Sequence, residues 1–258
     1  MNTQATVSAV TTSPAGAGSG GPRSLWDERF ADEKYIWGQD PSETAVRLGD
    51  RLYELQNTTA LHSTLNVIDV GTGYMRDPKY LHNRCNVRVT GVDRSQEGFN
   101  LARSDYDLNQ AIYHGWIHTV QGQFAKASIA TGAFDAAMSH RTIHLLGNNG
   151  EVDAFVDTFK RILKPGAPLY VSARDDRDTQ DMKQLPDGQV EPSFRPGHLI
   201  SHWNEARFKK AFGKDFDILG FVQTEEIESM PRKPGDAIKM TPITIMMARR
   251  KGPTVTLP

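Results

Sequence analysis

Short apolar runs alternate along this 258-residue chain with longer stretches whose apolar side chains recur at every third or fourth position. The runs at 66–70 and 89–92 read as buried strands. Further strands follow at 117–120, 133–138 and 169–172, and two more at 216–222 and 242–248, on either side of a turn-rich segment at 229–235. Between them lie helical patterns. Ser42 caps a helix that carries Ala45, Leu48, Leu52 and Leu55 on one face, and Ser95 caps a second through Ala102. Val152, Phe155, Val156, Phe159 and Ile162 share the face of a third, stopped by Lys164, Pro165 and Gly166. A fourth begins at His202 and Trp203. Strands alternating with helices predict an α/β fold: a doubly wound, mostly parallel seven-stranded sheet with an antiparallel edge strand.

Composition narrows the setting. Residues 1–24 are Thr, Ser, Ala, Gly and Pro with few bulky apolar side chains. Such a segment buries too little surface to offset its ordering entropy, so a disordered arm is expected there and one domain over 25–258. A net charge of -1 gives no overall field for nucleic acid or an anionic membrane. Cys85 is the single cysteine, which excludes an internal disulfide and a cysteine-rich zinc site. With no apolar run of membrane-spanning length and no signal-peptide core, a cytoplasmic location is expected.

The candidate chemistry begins where the first strand ends. Gly71 and Gly73 let the backbone turn tightly and approach a ligand closely. About twenty residues later Asp93 closes the second strand, the place where a Rossmann-like sheet presents an acid to ribose hydroxyls. A dinucleotide site needs a third glycine at position 76, and Arg76 there obstructs the approach of a helix N-terminus to a pyrophosphate. S-adenosylmethionine (SAM) has no phosphate. It needs glycine at the turn, an acid near its methionine amino group and an acid for its ribose, and Asp69, Gly71, Gly73 and Asp93 meet those needs.

These residues, with Gly132-Ala133-Phe134-Asp135-Ala136-Ala137 and Phe159-Lys160-Arg161-Ile162-Leu163-Lys164-Pro165-Gly166 in the same order, give a chain that resembles class I SAM-dependent methyltransferases. Trp26-Asp27-Glu28-Arg29-Phe30, followed by Tyr35, Trp37, Gly38, Pro41 and Ser42, is similar to the N-terminal segment of small-molecule enzymes of the tellurite-resistance and thiopurine type. Met75 departs from the family's usual third glycine, and Gln123 stands where an adenine-binding aspartate is common. The resemblance implies a lid and helix over 25–57, a substrate cover over 175–215, and SAM held by Asp69, Gly71, Gly73, Asp93, Arg94, Gln123, Phe124, Ser139 and Trp37. It further implies methyl transfer by in-line displacement to a small-molecule substrate, no metal, no nucleic-acid or membrane partner, and a monomer or homodimer.

Residue types then suggest who acts on the acceptor. Tyr35 and Trp37, beside Trp26 and Phe30, offer aromatic faces to a sulfonium, or staple the segment to the core. His140 and His144 follow the fourth strand, where an imidazole either takes a proton from an acceptor or packs beneath the cofactor. Arg174, Arg195 and His198 are candidates to grip the substrate, or belong to a charged loop and a turn. Two other activities fit the same residues: cyclisation of the aminobutyryl arm of SAM to azetidine-2-carboxylate with release of methylthioadenosine, and a non-catalytic SAM-binding subunit.

Overall fold

A computed structural model describes residues 24–58, 64–178, 182–186, 189–192, 199–229 and 238–252. The helices are α1 (Leu25–Glu33), α2 (Glu43–Thr58), α3 (Arg76–Cys85), α4 (Gln96–Ser104), α5 (Tyr106–Tyr113), α6 (Asn149–Ile162) and α7 (Glu205–Phe212). The strands are β1 (Asn66–Val70), β2 (Arg88–Asp93), β3 (Ile117–Gln121), β4 (Ala136–Ser139), β5 (Pro168–Arg174), β6 (Met182–Gln184), β7 (Val190–Pro192), β8 (Phe216–Ser229) and β9 (Lys239–Arg250). A seven-stranded sheet has the order β3-β2-β1-β4-β5-β9-β8. Its first five strands are parallel, and β9 runs antiparallel to both β5 and β8. The chain moves outward from β1 to β3 and then crosses to β4 on the other side. That reversal opens a crevice at the C-terminal ends of β1 and β4, where open α/β sheets bind ligands.

Side-chain alternation along β1 builds both faces of the sheet. Ile68 and Val70 join Phe155, Phe159, Trp203, Phe208 and Phe212 in the core beneath α6 and α7. Val67 joins Leu48, Leu52, Leu81 and Val89 beneath α2 and α3. Asp69 has the parity of Val67, so its carboxylate is carried toward the α3 side and away from the crevice.

Several boundaries differ from the sequence pattern. β4 starts at Ala136 because Asp135 turns back: its carboxylate accepts from the Asn66 N–H at 2.9 Å and from Lys164 Nζ at 2.6 Å. Phe134 makes only an isolated bridge to Leu163. The fourth patterned helix starts later, at Glu205, where Asn204 accepts from the Arg207 N–H at 3.1 Å. α5 was not evident from periodicity; Asp105 caps it by accepting from the Leu108 N–H at 3.0 Å. Within 175–215 the chain forms the β6–β7 hairpin and α7. The N-terminal arm up to residue 23, and 230–235 of the turn-rich segment, lie outside the described residues. Among the described residues no helix is long and apolar enough to cross a membrane.

Candidate active site

A cavity of about 530 Å³ opens at the C-terminal ends of β1, β2 and β4, a size typical of small-molecule sites. Its glycine turn is demanded by geometry. Gly71 has φ +76°, and a Cβ there would lie 1.8 Å from Thr142 Oγ1. Gly73 has φ +56° and supports the ring of Phe30. The Gly73 N–H and the Ser95 N–H each donate to a different oxygen of Asp93 at 2.8 Å. Asp93 lines the cavity, where its carboxylate can also accept from a diol. Burial raises the Asp93 pKa, although these backbone donors pull the other way.

Beyond Asp93 the cavity passes between Gln123 and an apolar slot formed by Phe124, Leu145, Leu146 and Phe155. Phe124 is fixed by ring contacts with Phe155 and Phe159, at centroid distances of 5.4 and 4.7 Å. The slot and its amide suit a flat heterocycle with polar edges. Arg94 also lines the cavity. A nucleoside with a phosphate-free tail therefore meets complementary groups here: a carboxylate, an apolar slot and a close-approach turn.

The opposite wall comes from the N-terminal segment. Trp26, Phe30 and Trp37 line the cavity, with centroids 5.9 Å apart for Trp26–Phe30 and for Trp26–Trp37. The guanidiniums of Arg29 and Arg141 lie 5.9 and 5.7 Å from the Trp37 ring centroid, so part of its attraction for cations is already used within the protein. Arg76, the first residue of α3, lines the cavity. Its Nη1 donates to the carbonyls of Trp37 at 2.9 Å and Asp40 at 3.0 Å, fastening the wall to the start of α3. Met75, at the family's third-glycine position, adopts φ +63°. Its side chain occupies the space above Gly91, where a Cβ would approach Met75 Cε to 2.6 Å.

His140 also lines the cavity, with polar groups close to both of its ring nitrogens. Nδ1 lies 2.8 Å from Ser172 Oγ and 3.1 Å from Thr44 Oγ1, and Nε2 lies 3.0 Å from Glu226 Oε2. Ser172 Oγ itself accepts from the Arg141 N–H at 3.2 Å, which leaves its own proton for the imidazole. Burial pushes the Glu226 carboxyl up, but His140, Arg141 and Arg76 outweigh it and hold its pKa to about 2. Arg141 has a left-handed backbone (φ +52°), and its guanidinium pairs with Glu228 and donates to the Ile227 carbonyl at 3.0 Å. β8 thus braces the loop after β4.

Of the residues expected from sequence, the structure brings Gly71, Gly73, Asp93, Arg94, Gln123, Phe124, Trp37 and His140 together around this cavity. Others are elsewhere. Asp69 is buried behind the turn, and burial together with the charge of Asp77 raises its pKa well above the usual range. Ser139 is buried and donates to the Val70 carbonyl at 2.8 Å. Tyr35 packs edge-on against Tyr74, 5.4 Å between centroids, and its hydroxyl lies 3.4 Å from Ser104 Oγ, so it does not line the cavity. His144 is sealed inside, 3 % exposed, beside Arg174 and Arg141. Arg174 is equally buried and pairs with Asp178 and Glu228 instead of reaching a substrate. Arg195 and His198 lie outside the described residues. Sequence reasoning missed Arg141, Thr142 and Glu226: no local pattern marks a positive φ or a partner on a strand some eighty residues away. Among the described residues no cluster of His, Cys, Asp or Glu has the arrangement of a metal site.

Residues 68–171 match the family model of a methyltransferase domain. No curated protein sequence matches the chain. Among solved structures, one from work on the conversion of a disulfide bond into a thioacetal group during echinomycin biosynthesis aligns over 90 % of this chain and 93 % of its own, with 16 % identity and a TM-score of 0.63. The 1,6-didemethyltoxoflavin-N1-methyltransferase of Burkholderia thailandensis, solved with 1,6-didemethyltoxoflavin and S-adenosylhomocysteine, aligns over 82 % and 80 % with 17 % identity and a TM-score of 0.54. TehB from Haemophilus influenzae aligns over 77 % and 62 % with 17 % identity and a TM-score of 0.53. The fold is that of class I SAM-dependent methyltransferases, and the cofactor of that domain family is SAM.

Proposed function

We propose that this chain, which carries a methyltransferase domain in the class I fold, methylates a small-molecule acceptor held against Trp26, Phe30 and Trp37. The observation that carries the reading is one continuous cavity from the carboxylate of Asp93, past the glycine turn, to that aromatic wall. SAM, when bound, supplies an electrophilic methyl on a sulfonium. The protein's part is then positional. Asp93 accepts from the ribose hydroxyls, Gln123 and the slot of Phe124, Leu145 and Leu146 hold the base, and the aromatic wall excludes water from the reacting face.

Proton removal by His140 is disfavoured in this arrangement, because taking a proton requires Nδ1 to give up two hydroxyl contacts or Nε2 to leave Glu226. An acceptor that is already nucleophilic, or that loses its proton to solvent after attack, suits the site better. The same feature keeps cyclisation of SAM as the second reading, since there the cofactor's own α-amino nitrogen attacks Cγ as the Cγ–S bond breaks and methylthioadenosine leaves, with no external acceptor.

Incubation with SAM alone, and then with a panel of small amines, phenols and thiols, tests the reading. S-adenosylhomocysteine (SAH) that forms only when an acceptor is present is the expected result. Methylthioadenosine formed from SAM alone would favour cyclisation, and neither product with any member of the panel counts against an enzyme.

A further inference from the structure

Asp27 in α1 performs a task that neither the cofactor pocket nor the aromatic wall accounts for. Its Oδ1 accepts from Ser95 Oγ at 2.6 Å and from the Glu97 N–H at 3.1 Å, both at the N-terminus of α4. Its Oδ2 accepts from Ser24 Oγ at 2.8 Å, and Ser24 Oγ in turn accepts from the Asp27 N–H at 3.1 Å, closing the N-terminus of α1. A single carboxylate thus serves two helix N-termini, where backbone N–H groups and the helix dipoles favour negative charge. Partial burial opposes ionisation, yet the hydrogen bonds that Ser95, the Glu97 N–H and Ser24 give the carboxylate outweigh it and lower the Asp27 pKa.

The α4 contact matters because Ser95 faces both ways. Its N–H donates to Asp93 Oδ1 at 2.8 Å while its hydroxyl donates to Asp27. The other Asp93 oxygen receives the Gly73 N–H. A continuous path therefore runs Ser24–Asp27–Ser95–Asp93–Gly73. Phe30, one turn beyond Asp27 on α1, closes the loop sterically: it is 2 % exposed and packs where Cβ atoms on Gly73 and Gly98 would come within 3.2 and 3.4 Å of its ring. The wall and the ribose acid are one mechanical unit, joined through the first turn of α4.

We infer that Asp27 is a positioning residue that couples docking of the aromatic wall to occupancy of the ribose site, and so sets how long the cofactor stays. The inference rests on the assignment of Asp93 to the SAM ribose. Asp27 touches no reacting atom. It holds Trp26 and Phe30 over the cavity, and it fixes Ser95 so that Asp93 keeps its orientation.

SAH affinity and release are measured on the full chain by stopped-flow tryptophan fluorescence, for the wild type, Asp27→Ala, Ser95→Asp and Asp93→Ala. Ser95→Asp keeps a good cap for α4 but sets a second carboxylate against Asp27, so it breaks the link without removing either helix start. Both link variants should release SAH about tenfold faster than wild type or more. Hydrogen exchange over α1 separates coupling from general loosening: SAH should slow exchange of α1 amides in the wild type and have little such effect in the link variants. If whichever link variants fold release SAH at the wild-type rate, or if SAH protects α1 equally in them, the inference is overturned. If the wild type fails to bind SAH, or Asp93→Ala binds it normally, the ribose assignment falls first.

Discussion

The hydroxyl of Thr142 occupies the space that a side chain at Gly71 would need: a Cβ built there lies 1.8 Å from Thr142 Oγ1 and 2.8 Å from its Cβ. The loop after β4 is thereby pressed onto the turn after β1, and Thr142 Oγ1 donates to the Val70 carbonyl at 3.3 Å and the His140 carbonyl at 3.2 Å. Gly71→Ala combines this collision with a left-handed backbone, which alone costs a non-glycine residue about 1–2 kcal/mol. The variant should lose thermal stability and bind SAH at least about tenfold more weakly. Calorimetry showing wild-type affinity would mean that the turn yields where the geometry says it cannot.

Asp93→Ala removes the acceptor for the ribose and strands the N–H groups of Gly73 and Ser95. A loss of about 1.5–3 kcal/mol in SAH binding is expected, the scale of charge-assisted hydrogen bonds. Asp93→Asn keeps one oxygen acceptor and should fall between wild type and alanine. Isothermal titration with both variants checks the order, and equal affinities for all three proteins would remove Asp93 from the site.

How much of this was legible in the sequence depends on the range of the interaction. Strand β1, its glycine turn and Asp93 are local signals, and the structure keeps them where the pattern set them. Ser42 and Ser95 cap as expected, accepting from the Ala45 and Gly98 N–H groups. Side-chain direction is less local. Asp69 follows its strand parity to the α3 side, and His144 lies in a short 3₁₀ turn, 143–145, that packs it inward. Arg174 looked like a loop cation but ends β5, where Glu228 and Asp178 claim it. Asp178 lies four residues on, where no periodic pattern marks the pair, and Glu228 comes from β8, beyond any local window. Arg76 is a further case: its length lets the guanidinium reach the carbonyls of Trp37 and Asp40, a staple that no local pattern marks.

His140→Asn tests whether the imidazole works on the acceptor or on the fold. A general base replaced by asparagine lowers turnover about 10²-fold or more with stability intact. Here the expected outcome is the reverse emphasis. The contacts of Ser172, Thr44 and Glu226 are lost together, leaving the buried Glu226 carboxylate without its imidazole, so unfolding should be easier by about 1–3 kcal/mol. Turnover of the folded protein, measured well below its new melting temperature, should fall less than tenfold. Glu226→Gln, which removes the charge at the same point, should reproduce the stability loss in part.

His144 gives the protein a pH-dependent stability that can be isolated. Burial foremost, then the nearby Arg174 and Arg141, pushes its pKa well below 6.5, so the folded state keeps this imidazole neutral. In the unfolded chain it protonates near pH 6.5. As pH falls below that value the unfolded state binds a proton that the folded state refuses. The stabilisation is therefore complete above about pH 6.5 and is lost on acidification toward the folded pKa, at up to about 1.4 kcal/mol per pH unit. Other groups overlap. His118 and His202, both lowered mainly by burial, act in the same direction, while Asp69, raised by burial, acts in the opposite one. Glu226, held to about 2, loses its contribution as pH falls from about 4.5 toward 2, below the window used here. The difference between wild type and His144→Gln, followed by chemical denaturation from pH 7.5 to 5, removes these shared terms. The variant should be the less sensitive of the two to acid, by up to one proton's worth of slope. Because the ring is sealed from the cavity, turnover of the folded variant at pH 7.5 should stay within about threefold of wild type. Parallel stability profiles for the two proteins would show that His144 is not held neutral. A hundredfold loss of turnover would return it to the reacting face.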